Sequence, residues 1–280
     1  MISRIIKLAI LKVHRIMTGY VFENAQAIKP HLELPRIGPT SQFCSELAKG
    51  LGCYVIAGYP ERLEADELGD GTLDVVGANS AVLCGPKGEW VGEYRKTNLF
   101  ETDMSWAKAG SGFRTFDLPF PLRRVSIGIC MDLNVQPPAV WDSLDGPYEL
   151  ASYTHAQDSD VLILLNAWLD SGKDVEERSD WSTLNFWAAR LQPLWGSDTS
   201  SDLKSPKESS DSEDKTDDSQ STEGRKHTAV VVCNRSGEEN GKTFAGSSAL
   251  FSMRRGSKRP KLYDVMGRRE EGVRIWTITV

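Results

Sequence analysis

One cysteine stands where an apolar run ends, a position from which a thiol can act as a nucleophile. Cys130 closes the run VSIGIC and is followed by Met131 and Asp132. A cysteine at a strand end is held rigidly, and the backbone N–H groups after it can stabilise a developing oxyanion. Gly128 would let another group approach this backbone closely. Because free cysteines are also common core residues, the position alone leaves a structural role open.

A lysine earlier in the chain is the candidate partner of this thiol. Lys96 follows Arg95 at the end of a predicted hairpin, SAVLCGPKGEWVGEYRK, whose turn is 85–88. A cation beside a thiol lowers the thiol pKa and can also stabilise a tetrahedral oxyanion. The alternative is a solvated Arg-Lys pair on a strand edge. Only a position beside Cys130 would give Lys96 a chemical role.

Short apolar runs, several of them rich in β-branched residues, are expected to position these residues. Such runs are typical of strands that are covered on both faces. The predicted strands are CYVIAGY (53–59), SAVLCG (80–85), VSIGIC (125–130), VLILLNAW (161–168) and TAVVVCN (228–234). Helical spacing predicts two helices between them, which makes the pattern that of a layered α/β fold.

The two predicted helices differ in their apolar faces. Segment 41–51 carries a stripe formed by Phe43, Leu47 and Leu51. In segment 181–195, where Pro193 ends the helical pattern, the apolar face is formed by Leu184, Trp187, Ala188 and Leu191. We expect each apolar face to pack against a sheet.

Composition excludes several classes of partner. The formal net charge is −6, which argues against a broad nucleic-acid-binding face. Much of the acidity lies in 196–226, where Leu203 is the sole aliphatic residue, so this segment is predicted to be a disordered insertion. No apolar run approaches the length of a membrane span. We therefore expect neither nucleic acid nor a membrane as a partner.

Cysteine usage and the N-terminal segment bear on location. The five cysteines are widely spaced and form no CxxC pair, which argues against a disulfide framework or zinc site and favours a reducing compartment. Segment 1–17 is basic, but Lys7 and Lys12 interrupt its apolar stretch and no small-residue cleavage site follows. We expect a cytoplasmic protein, with the nucleus and the mitochondrion as alternatives.

Four motifs, taken in their order along the chain, strengthen the functional interpretation of Cys130 and Lys96. They are YRKTNLFETD, VSIGICMDLN, VLILLNAWL and VVVCNRSGEENGKTFAGSS. Together they resemble the nitrilase, or carbon–nitrogen hydrolase, superfamily. Four segments also look like its fungal branch of protein N-terminal asparagine and glutamine amidohydrolases: TGYVF (18–22), YRKT (94–97), SIGICMDLN (126–134) and LLNAW (164–168). The resemblance implies a carbon–nitrogen hydrolase domain over 18–280 with a four-layer α/β/β/α sandwich, after an atypical segment 1–17. Family members pair through their sandwiches, so a homodimer is an open alternative.

The resemblance also implies an activity, the deamidation of N-terminal Asn, with Gln as a second candidate, in peptides or proteins. Cys130 would attack the side-chain amide and form a thioester, which water then hydrolyses. Lys96 and the backbone N–H of Met131 would hold the oxyanion. No metal or organic cofactor is required. The conversion would feed a degradation signal that is read from the N-terminal residue of the substrate.

Further residues are expected near the pocket of such an enzyme. Asp132 would either meet the α-ammonium of the substrate or make structural hydrogen bonds. Asn166 and Trp168 would line the pocket, with core packing as the alternative for Trp168. A second assisting acid in the family has no secure counterpart in this chain. Glu101 and Asp103 are the acids nearest the expected position, and the favoured alternative for both is a solvated loop charge.

At one position the sequence departs from the family. The general-base glutamate should stand four residues before Thr18, where this chain has His14. Histidine can serve as the base of a cysteine, but it differs from glutamate in reach, and Arg15 disfavours its protonated form. The family's first strand and helix are expected to be missing, and an altered first exon is our hypothesis. Another small-amide hydrolase and an inactive binding scaffold therefore stay as alternatives.

Overall fold

The computed structural model describes residues 5–12, 24–68, 75–140, 142–196 and 226–279. The described strands are β1 (Ile5–Lys12), β2 (Val55–Arg62), β3 (Gly77–Cys84), β4 (Trp90–Arg95), β5 (Arg114–Asp117), β6 (Arg124–Ile129), β7 (Val161–Asn166), β8 (His227–Asn234), β9 (Glu238–Glu239), β10 (Lys242–Thr243), β11 (Ala249–Arg254), β12 (Lys261–Val265) and β13 (Gly272–Thr279). The described α-helices are α1 (Ala25–Ile28), α2 (Pro39–Leu51), α3 (Glu101–Met104), α4 (Glu149–Ala156) and α5 (Trp181–Arg190).

The strands form two larger sheets and two strand pairs. One sheet has the order β12-β11-β8-β7-β6-β5, and the other has the order β2-β3-β4, while β1 pairs with β13 and β9 with β10. Strands β6, β7 and β8 are parallel, with Ile129 opposite Leu165 and Leu165 opposite Cys233. Their carboxyl ends therefore meet at one edge of the six-stranded sheet. Cys130, Asn166 and Asn234 all lie at this edge.

Apolar side chains join these sheets and helices into layers. Between the sheets, residues of β3, β4 and β13 pack on β6 and β8; Leu83 and Ile127 are examples. On the outer face of the six-stranded sheet, α4 and α5 pack through residues such as Trp187 and Leu162. Helix α2 covers the outer face of β2 and β3. The predicted four-layer α/β/β/α sandwich is confirmed.

The predicted elements match the structure closely. The five predicted strands correspond to β2, β3, β6, β7 and β8, and the two predicted helices to α2 and α5. Pro193 lies in a short 3-10 turn after α5, as its helix-ending role predicts. No described helix is long and apolar enough to cross a membrane. Most of the predicted disordered insertion, 197–225, lies outside the described residues, so its disorder stays a prediction.

Two expectations about individual elements are wrong. Helix α2 buries Cys44 and Ala48 against β2 and β3, whereas Phe43 and Leu51 on the predicted stripe are exposed. Small residues on the buried face let the helix approach the sheet closely. A first strand is also not missing, because Ile5–Lys12 forms β1 and pairs antiparallel with β13. The lysines at positions 7 and 12 argue against a secretory signal, but they do not prevent β pairing. The described residues before Ala25 contain no helix, so the absence of the first helix stays a prediction.

Candidate active site

Cys130 lies where β6 passes directly into a 3-10 turn, Cys130–Leu133. Its φ is 49°, in the left-handed region that a non-glycine residue adopts at a cost of roughly 1–3 kcal/mol. Such strain is concentrated at functional sites. The φ of Cys130 therefore indicates a functional role more strongly than the position of this residue in the sequence does. The residue is half-buried at the edge of the core between the sheets. The residue as a whole is therefore not fully buried.

Gly128 serves the other side of the strand. A Cβ at this position would lie 2.6 Å from Leu150 Cδ2 and 3.0 Å from Leu164 Cδ2. The close approach that the sequence suggested is therefore the packing of α4 on β6. This packing fixes the strand that carries Cys130.

The environment of the thiol works against ionisation. Burial raises the pKa of the Cys130 thiol above its ordinary value. The Lys96 ammonium and a hydrogen bond from the Ala167 backbone N–H lower this pKa, while the charges of Asp103 and Asp132 raise it. The net shift of the pKa is upward, which disfavours the thiolate. A base is needed to generate the nucleophile.

Lys96 is one of the most deeply buried cations in the described chain. Its side chain has no exposed surface, and Nζ donates to Asp103 Oδ2 at 2.5 Å. Asp103 also accepts from the Phe100 backbone N–H at 3.0 Å and from Asn79 Nδ2 at 3.2 Å. The ammonium is thus held in one place, and it acts on the thiol through its charge. The two residues are close enough for this charge to lower the pKa of the thiol, and the catalytic role of Lys96 stays a prediction.

Arg95 points to the opposite face of β4, as strand alternation requires. Its guanidinium donates to Glu61 Oε1 at 2.6 Å and to Glu67 Oε1 at 2.6 Å. Ser80 Oγ donates to the other oxygen of Glu61 at 2.6 Å. The solvated-pair alternative is therefore wrong for both Arg95 and Lys96. The ion pairs of Arg95 fix the end of β4, directly before Lys96.

Asp132 is fully buried and accepts four hydrogen bonds. The donors are the Tyr94 hydroxyl at 2.7 Å and the backbone N–H groups of Thr97 at 3.0 Å, Asn98 at 2.8 Å and Ile129 at 2.7 Å. Three donors flank Lys96 in the chain, and the fourth directly precedes Cys130. This carboxylate therefore ties the lysine loop to the cysteine turn. The geometry favours the structural alternative for Asp132 over contact with an α-ammonium.

Asn166 lies beside Cys130 at the sheet edge. Its Oδ1 accepts the Cys130 backbone N–H at 3.1 Å. Its Nδ2 is buried and has no hydrogen-bond partner among the residues that the structure describes. This amide is a candidate donor to a substrate. The unpaired Nδ2 supports the prediction that Asn166 lines the pocket.

Trp168 is half-buried, and Met131 is buried. The Trp168 ring packs 5.2 Å from Phe186 and 6.2 Å from Trp187, on the helix side of the sheet. This contact favours core packing for Trp168. Met131 is buried at 8% exposure, and within the described chain its backbone N–H has no hydrogen-bond partner. The role of this N–H in holding an oxyanion stays a prediction.

Comparison with known proteins places this geometry in a family. The profile of the family described as carbon-nitrogen hydrolase matches residues 16–146. The protein N-terminal amidase of Schizosaccharomyces pombe is 32% identical over 276 residues, which cover 92% of this chain and 82% of that protein. The chain belongs to the carbon–nitrogen hydrolase family. The resemblance inferred from the four motifs is thereby confirmed.

Other members of the carbon–nitrogen hydrolase family match parts of the chain or its fold. A nitrilase of Pyrococcus abyssi is 37% identical over 116 residues, or 41% of this chain and 39% of that protein. A crystal structure of an N-terminal amidase with an Asn-Glu-Ala peptide superposes with a TM-score of 0.75. It covers 99% of this chain and 98% of that one at 18% identity, so this likeness shows the fold alone.

Two parts of the family pattern lie outside the described residues. His14, at the position of the family's general base, and the segment TGYVF (18–22) are both among them. The carboxylates of Asp103 and Asp132, which act on the Cys130 thiol, are both engaged with other groups. Neither is available as a base. The role of His14 therefore stays a prediction.

The choice between Glu101 and Asp103 needed the path of the loop after Lys96. Glu101 is exposed at the start of α3, whereas Asp103 is 3% exposed and contacts the lysine. Sequence reasoning also missed Asn79 and Tyr94, which orient Asp103 and Asp132. An acid seven residues after the lysine was the available signal for Asp103. Nothing in the sequence indicated Asn79.

Proposed function

We propose that this protein hydrolyses the side-chain amide of an N-terminal asparagine, with glutamine as a second substrate, in peptides or proteins. The observation that carries the proposal is the half-buried Cys130 in a strained turn, with a thiol whose pKa is lowered by the charge of the buried Lys96. The similarity to protein N-terminal amidases selects this substrate class among carbon–nitrogen hydrolases. The products are an N-terminal acid and ammonia.

The reaction runs through a thioester. A base removes the proton of the Cys130 thiol, and the sulfur attacks the side-chain amide carbon. The oxyanion lies near the Lys96 ammonium and the Met131 backbone N–H. The C–N bond then breaks, and the base returns the proton to the leaving ammonia. Water, deprotonated by the same base, attacks the thioester, so that the acid is released and the thiol is restored.

The base is assigned to position 14, by correspondence with the family's glutamate. Because the pKa of the thiol is raised, turnover depends strongly on this group. We therefore expect the chain with His14 to turn over slowly. An inactive scaffold that binds peptides is the second candidate, and the substitution of the family's glutamate by His14 is the observation that favours it.

Ammonia release from an Asn-starting peptide tests the proposal directly. The protein should release ammonia from this peptide, His14→Glu should accelerate release, and Cys130→Ala should abolish it. Release from free small amides at a similar rate would instead favour a small-amide hydrolase. Mass spectrometry of Cys130 after mixing with peptide separates an enzyme from a scaffold, because only an enzyme forms the thioester. A folded His14→Glu variant that gains no activity would show that the base is not at position 14.

A further inference from the structure

A cavity of about 730 Å³ opens at the same sheet edge as Cys130. It is lined by the loop after β7, the β9–β10 hairpin and the segment before β13. Its first lining residue in the chain is Leu169, two residues after Ala167, whose N–H contacts the Cys130 thiol. Two residues span at most about 7 Å. The cavity therefore begins within reach of the second to fourth residues of a peptide whose first residue is at Cys130.

The walls of this cavity are fixed by hydrogen bonds. The Asp170 backbone N–H donates to Thr243 O at 2.9 Å, which joins the loop to the hairpin. The buried Arg268 guanidinium pairs with Asp170 at 2.6 Å and donates to Lys173 O at 2.5 Å. These contacts fix the positions of the loop and the segment before β13 relative to the hairpin. Its volume lies within the range of about 300–1,000 Å³ that is typical of ligand sites.

The charges around the cavity are not all neutralised. The Arg268 charge is balanced by Asp170, and Glu270 pairs with Arg178 at 2.7 Å. Lys242 makes no ion pair within the described part of the chain. Arg269 is 60% exposed and reaches Asp170 only at 4.0 Å. Glu177 is the single acid in the lining that does not offset another charge. Lys242 and Arg269 against Glu177 leave the unpaired charge of the lining positive by one, and the positive charge lies at Lys242 and Arg269.

We propose that this cavity receives the residues that follow the N-terminal residue of the substrate polypeptide, and that it favours acidic side chains there. The inference rests on the proposed function for the placement of the first residue at Cys130. It adds a second contact region, which would distinguish polypeptides from free asparagine and would rank them by the charge near their N-terminus.

Peptide binding in a Cys130→Ala background tests the inference without turnover. The probes are Asn-Glu-Glu-Ala-Ala and Asn-Lys-Lys-Ala-Ala, each with a fluorescent label at its C-terminus, followed by anisotropy. The double variant Lys242→Glu with Arg269→Glu should weaken binding of the acidic peptide about tenfold and strengthen binding of the basic one. The effect should shrink as salt is raised.

Lys87→Glu is the matched control. This exposed lysine lies in the turn before β4, at the opposite end of that strand from Lys96, and the change should leave both affinities unaltered. Equal changes for both peptides, or none, in the folded double variant would overturn the inference. If charge-dependent binding is seen while the protein with Cys130 releases no ammonia, the proposed function fails and the peptide-binding cavity stands.

Discussion

The Lys96 ammonium and the Asp103 carboxylate form a hydrogen-bonded ion pair of 2.5 Å, from which solvent is almost completely excluded. The pair fixes the cation that acts on the Cys130 thiol. It also places a negative charge near that thiol, and this charge raises the thiol pKa. One carboxylate therefore orients the lysine and opposes formation of the thiolate. These two effects can be separated by experiment.

Asp103→Asn should make Cys130 more reactive towards an alkylating agent and less effective in hydrolysis. Loss of the carboxylate charge lowers the thiol pKa, so alkylation by iodoacetamide at pH 8 should accelerate. The lysine loses its anchor, and ammonia release should fall about tenfold or more. Mass spectrometry locates alkylation at Cys130. Glu101→Gln, which changes an exposed acid of the same loop, should alter neither rate; slower alkylation of the Asp103 variant would contradict the charge argument.

Lys96→Met should remove both activity and stability. Loss of the oxyanion cation is expected to lower turnover by about 10²–10³. Asp103 would remain buried without its partner, at a cost of about 3–5 kcal/mol in the free energy of unfolding. Urea denaturation measures this loss. The double variant with Asp103→Asn should recover most of the stability and none of the activity, and a purely additive result would mean that the ion pair carries no coupling energy.

Asp132→Asn should loosen the link between the lysine loop and the cysteine turn. An amide group presents a donor where the carboxylate accepts, so at least one buried donor loses its partner, at a cost of about 1–3 kcal/mol. We expect a lower free energy of unfolding and lower turnover. Asp117→Asn, at an aspartate whose side chain is 85% exposed, is the control and should change neither. Unchanged stability of the Asp132 variant would show that its four contacts are not a structural link.

Low pH should weaken the ion pair between Arg95, at the end of β4, and Glu67. The Arg95 guanidinium lowers the pKa of Glu67 from 4.5 to about 2. A carboxyl whose pKa is depressed by folding stabilises the protein above its unfolded value, and this stabilisation is lost as pH falls from about 4.5 towards about 2. Denaturation at a series of pH values should show the loss, and Glu67→Gln should show a smaller one. An equal acid dependence in both proteins would assign the effect to other groups.

The sequence predicted well what hydrophobic pattern determines. Continuous apolar runs became the central strands, and the face of α5 around Trp187 is buried as expected. The buried face of α2 was not predictable in this way, because close approach to the sheet selects the small Cys44 and Ala48 over the larger Phe43. The order of motifs located Cys130 and Lys96. The hydrogen bonds that orient them depend on loop paths, which local pattern does not encode.

The left-handed backbone at Cys130 lowers the stability of the fold, whereas the reaction requires a cysteine at this position. Glycine adopts this conformation without steric cost, so replacing the cysteine by glycine relieves strain at the very residue that must react. A screen for heat-resistant variants that measures solubility alone would therefore select variants in which Cys130 has been replaced. Any stabilised form of this enzyme has to be screened for turnover from the first round.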